Sequence, residues 1–364
     1  MIRTKTFGLA FATLALAATL ALPAAAQDTQ ALRIATGKTD ATNSQMFQAI
    51  KAACPANLQE ITDTSGGADN IGLLQANKVD AGIAQVDVAE FLQKTDPNIG
   101  KLRSLVALNP NYLHIIASTR GVMVDPGKPA AIMGFGGTPA RYAQVSNIND
   151  LKGQTVVAHG SAQLTIRIIS QKLGLNLSVV DDDTKDRQGL QSVKNGQAAA
   201  FVAMGGRPVG WIEQLNGADY VLVPMQKEAV GMLGSPYSAQ QLTYKNLSAF
   251  GFYTAAVKNE LFVRNFQGGK AKLLADLREC YKNNLIDIKE TTGTHAAWQE
   301  VDDLDATAWP RFEAPAATPA QKQSDSSTGT GTGTGATPGT ITTVDTAAKP
   351  DAPARGKTAQ PARK

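Results

Sequence analysis

Several residue types and motifs on which enzymes depend are scarce in this sequence. It has 2 cysteines, 3 histidines and 6% aromatic residues. Gly37-Lys38-Thr39 is not preceded by the five residues, beginning with glycine, that complete the P-loop motif G-x-x-x-x-G-K-[ST]. Neither a G-x-S-x-G nucleophile turn nor an H-E-x-x-H motif occurs. His114, His159 and His295 lie far apart, without cysteines or carboxylates at metal-ligand spacing. We therefore predict that the chain is not an enzyme and binds no metal or cofactor.

An excess of positive charge in the folded part is also missing. The whole chain has a net charge of +4, but the first 26 residues contribute two cations and the last 51 contribute a net +3. The remainder is therefore near −1. A nucleic-acid-binding surface is usually strongly basic, so we predict no nucleic-acid partner.

Only one long apolar run occurs, at residues 7–22. Arg3 and Lys5 precede it, and Pro23 and Ala24-Ala25-Ala26 follow, which is the order of a cleaved secretory signal. The alternative is a membrane anchor, but 16 residues rich in alanine form a poor span. No cysteine follows the run to carry a lipid. We predict a signal peptide at residues 1–26 and a periplasmic mature protein.

The end of the chain has no aromatic residues and almost no large aliphatic ones. Residues 314–364 are mostly Ala, Thr, Gly, Pro and Ser, with a repeated Thr-Gly run at residues 328–335. Such a segment cannot bury enough apolar surface to offset the entropy lost on ordering. We predict a disordered tail, which leaves residues 31–313 for the folded part.

The two cysteines, Cys54 and Cys280, both lie at or near the end of a predicted helix. An even number of cysteines in an exported protein favours a disulfide. Two buried free thiols are the alternative. We predict the disulfide.

Short apolar runs alternate with helical patterns through the folded part, which is typical of a parallel α/β fold. The alternation occurs twice, once before and once after about residue 119. We predict two lobes with a ligand cleft between them: residues 31–118 and 251–313 in lobe 1, and residues 119–250 in lobe 2. Among the predicted elements are strands at 32–36, 102–108 and 112–118 and helices at 44–53 and 271–283. The strands at 112–118 and 251–257 are predicted to be the hinges.

Four junctions between a strand and a helix contain glycine or small polar residues. They lie at residues 37–44, 65–67, 159–163 and 205–208. Helix N-termini expose unpaired N–H groups and the positive end of a dipole, so converging junctions favour an anion. We predict Ser65 at the second junction as a ligand contact and Lys38 and His159 as charge partners of the ligand. His114, within an apolar strand, is predicted to be a core residue, and residues 181–183 a solvated acidic turn.

Several segments resemble the TAXI-type receptors of TRAP transporters. The resemblance is most specific at residues 64–76, TSGGADNIGLLQA, and continues at 79–89, VDAGIAQVDVA. Residues 150–157, DLKGQTVV, and Gly205-Gly206-Arg207-Pro208 are also similar to family segments. The resemblance covers about residues 32–257.

The resemblance implies a two-lobed type II periplasmic binding protein that captures a small, usually carboxylate-bearing solute. The receptor would close its lobes on the solute and deliver it to a TRAP-type membrane permease. Ligand contacts carried over from the family are Gly37, Thr39, Gln85, Asp87, Gly160, Ser161, Gly205 and Gly206. We expect a monomer.

The chain differs from the family in its first loop and in an extra stretch at residues 121–146. The loop at 37–44 carries larger polar side chains than the glycine-rich family loop, and we predict that the extra stretch is a surface excursion. Two alternatives stay open. One is a binding protein of an ABC importer; the other is an envelope interaction or sensory protein that has lost tight ligand binding.

Overall fold

The structure is a computed structural model that describes residues 31–128, 137–182, 184, 187–248 and 250–314. The predicted signal peptide and nearly all of the predicted tail lie outside these residues. So does part of the extra stretch, residues 129–136.

Twelve strands occur in the described residues. They are β1 Leu32–Gly37, β2 Leu58–Thr62, β3 Ala81–Gln85, β4 Arg103–Ser118, β5 Val122–Asp125, β6 Arg141–Ala143, β7 Thr155–Ala158, β8 Ser178–Asp181, β9 Ala200–Gly205, β10 Tyr220–Leu222, β11 Ser238–Leu242 and β12 Phe252–Val263.

Eight α-helices alternate with these strands in the described residues. They are α1 Thr42–Ala53, α2 Gly67–Gln75, α3 Val86–Gln93, α4 Ala162–Leu173, α5 Gly189–Lys194, α6 Gly210–Glu213, α7 Lys227–Leu233 and α8 Gly268–Glu290. Helix α1 shows why such segments are helical: Met46, Phe47 and Ile50 recur at a spacing of three to four and form its buried face.

Ten of the strands form one sheet in the order β2-β1-β3-β12-β4-β9-β7-β8, with β10 paired to β4 and β11 paired to β12. Strands β1, β2 and β3 pair in parallel, and so do β7, β8 and β9. We call the part built on β1–β3 the first half and the part built on β7–β9 the second half.

The long strands β4 and β12 belong to both halves. Near its start, β4 pairs with the end of β12, where Arg103 faces Val263. The pairing with β12 continues to Tyr112, which faces Ala256, and from the same residue onward β4 also pairs with β9, where Tyr112 faces Gly205. The two halves are therefore joined by two antiparallel strands, and the α/β fold in two lobes is confirmed.

Each half has its own buried apolar core. In the first half, Phe47 of α1, Tyr281 of α8 and Trp298 pack together. In the second half, one cluster contains Ile166 and Ile169 of α4, and another surrounds Phe201. Separate cores are what allow two lobes to move as units about the connecting strands.

Strand β4 corrects the sequence interpretation at Pro110. We expected two separate strands, at 102–108 and 112–118, with Pro110 between them. A single strand of 16 residues runs through this point. Pro110 faces Lys258, beside a shift of register between Lys258 and Glu260. An irregularity of this kind accommodates a proline within a strand.

The predicted disulfide between Cys54 and Cys280 is confirmed. It joins the residue after α1 to the middle of α8, with 5.8 Å between the Cα atoms. Helix α8 is longer than the predicted 271–283, at 23 residues. The bridge therefore fixes the last long helix to the first helix of the chain.

The described part of the extra stretch forms a separate two-stranded sheet of β5 and β6. Val124 is 53% exposed there, and Arg141 is also exposed. The backbone N–H of Met123 donates to the carbonyl of Gly196, which ties this sheet to the second half.

Candidate functional site

A cavity lies between the two halves, at the carboxyl ends of β1, β7 and β9. The space open to the centres of water-sized spheres is about 80 Å³. One water needs only about 10–15 Å³ by this measure, so several waters or one small solute fit. Seven of the predicted ligand contacts line it: Gly37, Lys38, Ser65, His159, Gly160, Ser161 and Gly205.

Four predicted contacts lie elsewhere. Thr39 is exposed on the first loop. Gly206 follows the lining residue Gly205, and its N–H donates to Thr42 Oγ1 at 3.2 Å. Gln85 and Asp87 are only 1% and 2% exposed, and neither side chain lines the cavity. These four residues are therefore not part of the cavity lining.

Three helices begin at or beside the cavity. Helices α1, α2 and α4 start at Thr42, Gly67 and Ala162, and Thr42, Gly66 and Ser161 line the cavity wall. The first four N–H groups of a helix have no partner within it. Together with the helix dipoles, they make the cavity favourable for a negatively charged group.

The two halves are in contact at Gly66 and Ser161. Gly66 has a φ of +104°, which L side chains rarely adopt, and an added Cβ would lie 2.3 Å from Ser161 Oγ. The next residue, Gly67, donates its N–H to Ser161 Oγ at 3.3 Å. A glycine at position 66 therefore allows the second half to contact the start of α2.

His159 lies in the wall of the cavity, in surroundings that favour its neutral form. Its Nδ1 donates to the carbonyl of Asp182 at 2.6 Å, and its ring stacks on Phe201. Burial lowers the pKa of His159, and the nearby cations Arg187 and Lys38 lower it further. With Nδ1 protonated, Nε2 is an acceptor. His159 thus offers a hydrogen bond, in place of the positive charge that we expected.

Arg187 supplies the charge that the sequence analysis missed. It lines the cavity from the second half, and its guanidinium lies over the Trp211 ring, 4.6 Å from the centroid. It also forms an ion pair with Asp40 of the first half. Its Nε is buried and has no hydrogen-bond partner among the described residues.

The sequence contains a feature from which Arg187 could have been predicted as a site residue. Arg187 lies between β8 and α5, the one strand-to-helix junction of the second half that we interpreted only as an acidic turn. Treating that junction like the other four would have included Arg187 in the site.

The floor of the cavity is a chain of buried amides. Asn111 of β4 donates to Asn259 of β12 at 3.1 Å, and Asn259 donates to Asn43 of α1 at 3.0 Å. Asn43 and Asn111 both line the cavity. The floor therefore connects both joining strands to the start of α1.

The wall opposite these polar groups is more apolar, with Ala203, Met204, Val209 and Trp211.

His114 lies outside the cavity and is fully buried, with its Nε2 bonded to Tyr244 at 2.9 Å. Burial lowers the pKa of His114 to about 4, so it is a neutral core residue, as predicted.

Among the described residues, no group of three or more His, Cys, Asp or Glu residues is arranged to hold a metal ion. No helix in that part of the chain combines the length and apolarity needed to cross a bilayer.

No protein-family profile matches the sequence, and no curated protein matches it. Several solved structures are similar to it. One is the substrate-binding protein of an amino acid ABC transporter, at 12% identity and a TM-score of 0.41, covering 75% of this chain and 97% of that one.

A putative L-cystine ABC transporter protein from Listeria monocytogenes is 15% identical, with a TM-score of 0.44 and coverage of 76% of this chain and 98% of that one. An ancestral arginine-binding protein bound to arginine is 15% identical, with a TM-score of 0.42 and coverage of 71% and 96%. At these scores we report similarity alone and draw no argument about the solute.

Proposed function

We propose that the protein is a periplasmic receptor that captures a small anionic or zwitterionic solute by closing its two lobes over the cavity. One observation carries the proposal: the cavity lies between the halves and is lined by three helix starts and by two cationic residues, Lys38 and Arg187. In this assignment, lobe 1 is residues 31–118 with 251–313, and lobe 2 is residues 119–250.

The charges of the site support a solute with a carboxylate. Arg187 comes from the second half and Lys38 from the first, while Asp40 contributes one negative charge at the same wall. The carboxylate of a solute would be placed at Arg187 and the helix N-termini. A solute ammonium group, where there is one, would be placed at Asp40. The apolar wall near Trp211 suits a short side chain.

Delivery of the solute is assigned to a TRAP-type permease on the resemblance of residues 32–257 to TAXI-type receptors. The geometry of the cavity serves a binding protein of an ABC importer equally well. A gene for a fused multi-span permease beside this one would support the first partner, and a gene for an ATPase would support the second.

The test is a thermal-shift screen of the mature chain against organic acids and amino acids. A solute at a hundredfold excess over its Kd should stabilise the protein by about 2.7 kcal/mol. Replacing Arg187 by Met removes charge-assisted hydrogen bonds and should weaken binding of the best solute about 10- to 100-fold. Arg167→Ala, an exposed residue of the same half, is the matched control and should leave binding unchanged. Failure of every charged solute to stabilise a folded protein would contradict the proposal.

Asp40 favours a second candidate, an envelope sensory protein without tight ligand binding. Its carboxylate already pairs with Arg187 across the two halves, where a solute carboxylate would otherwise bind. The variant Asp40→Ala separates the two functions. A receptor should bind a simple monocarboxylate more tightly once this competitor is removed, whereas a sensory protein should still bind none.

A further inference from the structure

A buried carboxylate joins the two halves away from the cavity. Asp87 lies in the first turn of α3, in the first half, and is 2% exposed. Its Oδ2 accepts hydrogen bonds from Thr165 Oγ1 and from the Tyr237 hydroxyl, both at 2.8 Å. Thr165 is in α4, and Tyr237 lies between α7 and β11. Both donors therefore belong to the second half.

We propose that Asp87 is a proton-dependent latch between the lobes: the closed arrangement favours its neutral form, so acidification draws the two halves together. The inference rests on the proposed closure of the lobes, but its test requires no solute.

Desolvation is the physical reason for the coupling. In the structure, burial raises the pKa of Asp87, in spite of the hydrogen bonds from Tyr237 and Thr165 that favour the ionised form. No salt bridge to Asp87 occurs among the described residues, and its Oδ1 has no hydrogen-bond partner there. Closing the lobes on the ionised carboxylate therefore costs free energy that closing on the neutral acid does not.

Opening of the two lobes would reverse the effect of burial on the pKa of Asp87. When α4 and Tyr237 move away from α3, water reaches Asp87 and its pKa returns toward the ordinary value. A proton is then bound more tightly in the closed arrangement than in the open one. By linkage, the ratio of closed to open molecules rises as the pH falls.

The pH range over which the ratio of closed to open molecules changes follows from the raised pKa of Asp87 in the closed arrangement. Well above the raised pKa, Asp87 is ionised in both arrangements and the ratio does not depend on pH. As the pH falls through the raised pKa, the ratio increases by up to about tenfold per pH unit. Below the ordinary pKa of about 3.9, the carboxyl is neutral in both arrangements and the ratio levels off.

Other charged groups near the latch must be separated from it. Glu90 of α3 and Lys94, the residue after α3, follow Asp87 in the chain. On α4, Lys172 Nζ lies 5.4 Å from the centroid of the Tyr237 ring. Burial also raises the pKa of Glu90, and Lys172 opposes this. Glu90 lies one helical turn from Asp87, but Thr165 and Tyr237 donate their hydrogen bonds to Asp87 and not to Glu90. Glu90→Gln is therefore the matched control variant.

The experiment measures the distance between spin labels on the two halves of the mature protein without solute. Labels are attached at Lys272→Cys in α8 and Gln171→Cys in α4, both exposed positions. Cys54 and Cys280 form the disulfide and do not react. Distance distributions are recorded by pulsed electron resonance from about pH 7.5 down to about pH 4, across the range in which a raised carboxyl pKa titrates.

The expected result is a growing short-distance population as the pH falls in the unsubstituted protein and in Glu90→Gln. In Asp87→Asn the short distance should dominate at every pH, because the amide keeps an acceptor for Thr165 and Tyr237 without the charge. If Asp87→Asn does not fold, Tyr237→Phe serves instead: it removes a donor to the ionised carboxylate and should move the midpoint to higher pH.

Three results would overturn the inference. The first is a distance distribution of the unsubstituted protein that does not change with pH. The second is a pH response that persists in Asp87→Asn. The third is a response abolished by Glu90→Gln. None of these depends on a solute, so the latch and the proposed receptor function fail independently.

Discussion

The two halves of the molecule are stabilised by different means. The first half contains the disulfide between Cys54 and Cys280. It also contains Asp80, whose buried carboxylate is bonded to Lys270 at 2.7 Å and to the backbone N–H of Arg33 at 2.9 Å. These contacts fix β1, β3 and α8 to one another across the chain.

The second half has no disulfide, since both cysteines of the sequence are in the first half. Its ion pairs lie at the surface: the side chains of Arg167 and Asp181 are 43% and 48% exposed. It relies on apolar packing around Phe201 and Ile166. This difference indicates that the first half is the more rigid of the two. The second half supplies Arg187 to the cavity and the hydrogen-bond donors to Asp87.

Removing the disulfide should have the largest effect of the changes that test this difference between the halves. The disulfide closes a separation of 226 residues, and losing it should lower the free energy of unfolding by about 2–5 kcal/mol. The variant Cys54→Ala/Cys280→Ala is measured by urea unfolding, with the reduced unsubstituted protein as its control. Hydrogen exchange should increase in α1 and α8 more than in α4. A loss below about 1 kcal/mol, or faster exchange mainly in α4, would contradict the comparison.

The second prediction concerns the buried carboxylate of the first half. Burial alone would raise the pKa of Asp80, but the hydrogen bond from Lys270, the Arg33 N–H and both positive charges outweigh it and hold the pKa below its ordinary value. Asp80→Asn leaves two cations without their partner and should cost about 1–3 kcal/mol.

The stability that Asp80 contributes depends on pH. Because its folded-state pKa is lowered, the contribution is complete above the unfolded-state value of about 3.9 and is lost as the pH falls below it. Urea unfolding at neutral pH and at about pH 3 should therefore show a smaller difference between Asp80→Asn and the unsubstituted protein in acid. An equal difference at both pH values would refute this assignment.

The smallest effect is expected in the second half. Arg167→Ala removes the exposed pair with Asp181 and should change the free energy of unfolding by less than about 0.5 kcal/mol. Added salt should reduce even that difference. A cost as large as that of Asp80→Asn would show that surface pairs matter as much in the second half as buried ones do in the first.

Much of the fold could be predicted from the sequence because its signals are local. The predicted strand at 32–36 and helix at 44–53 agree with β1 and α1 within two residues. The expected break between 108 and 112 is wrong because the register shift at Lys258, opposite Pro110, depends on the partner strand and is not visible in the sequence.

The site was harder to predict because side-chain direction depends on the tertiary structure. The resemblance predicts Asp87 as a ligand contact, but the packing of α4 against α3 places its carboxylate against Thr165, away from the cavity lining. Arg187 was missed for a related reason: its partner Asp40 is 147 residues away in the chain.

The most direct test of the receptor account is a crystal structure with the best-stabilising solute bound. The account predicts one solute molecule between the halves, with its carboxylate within hydrogen-bond distance of Arg187 and of backbone N–H groups at the start of α1 or α2. A solute that contacts only one half, or that binds outside this cavity while the cavity holds only water, would contradict it.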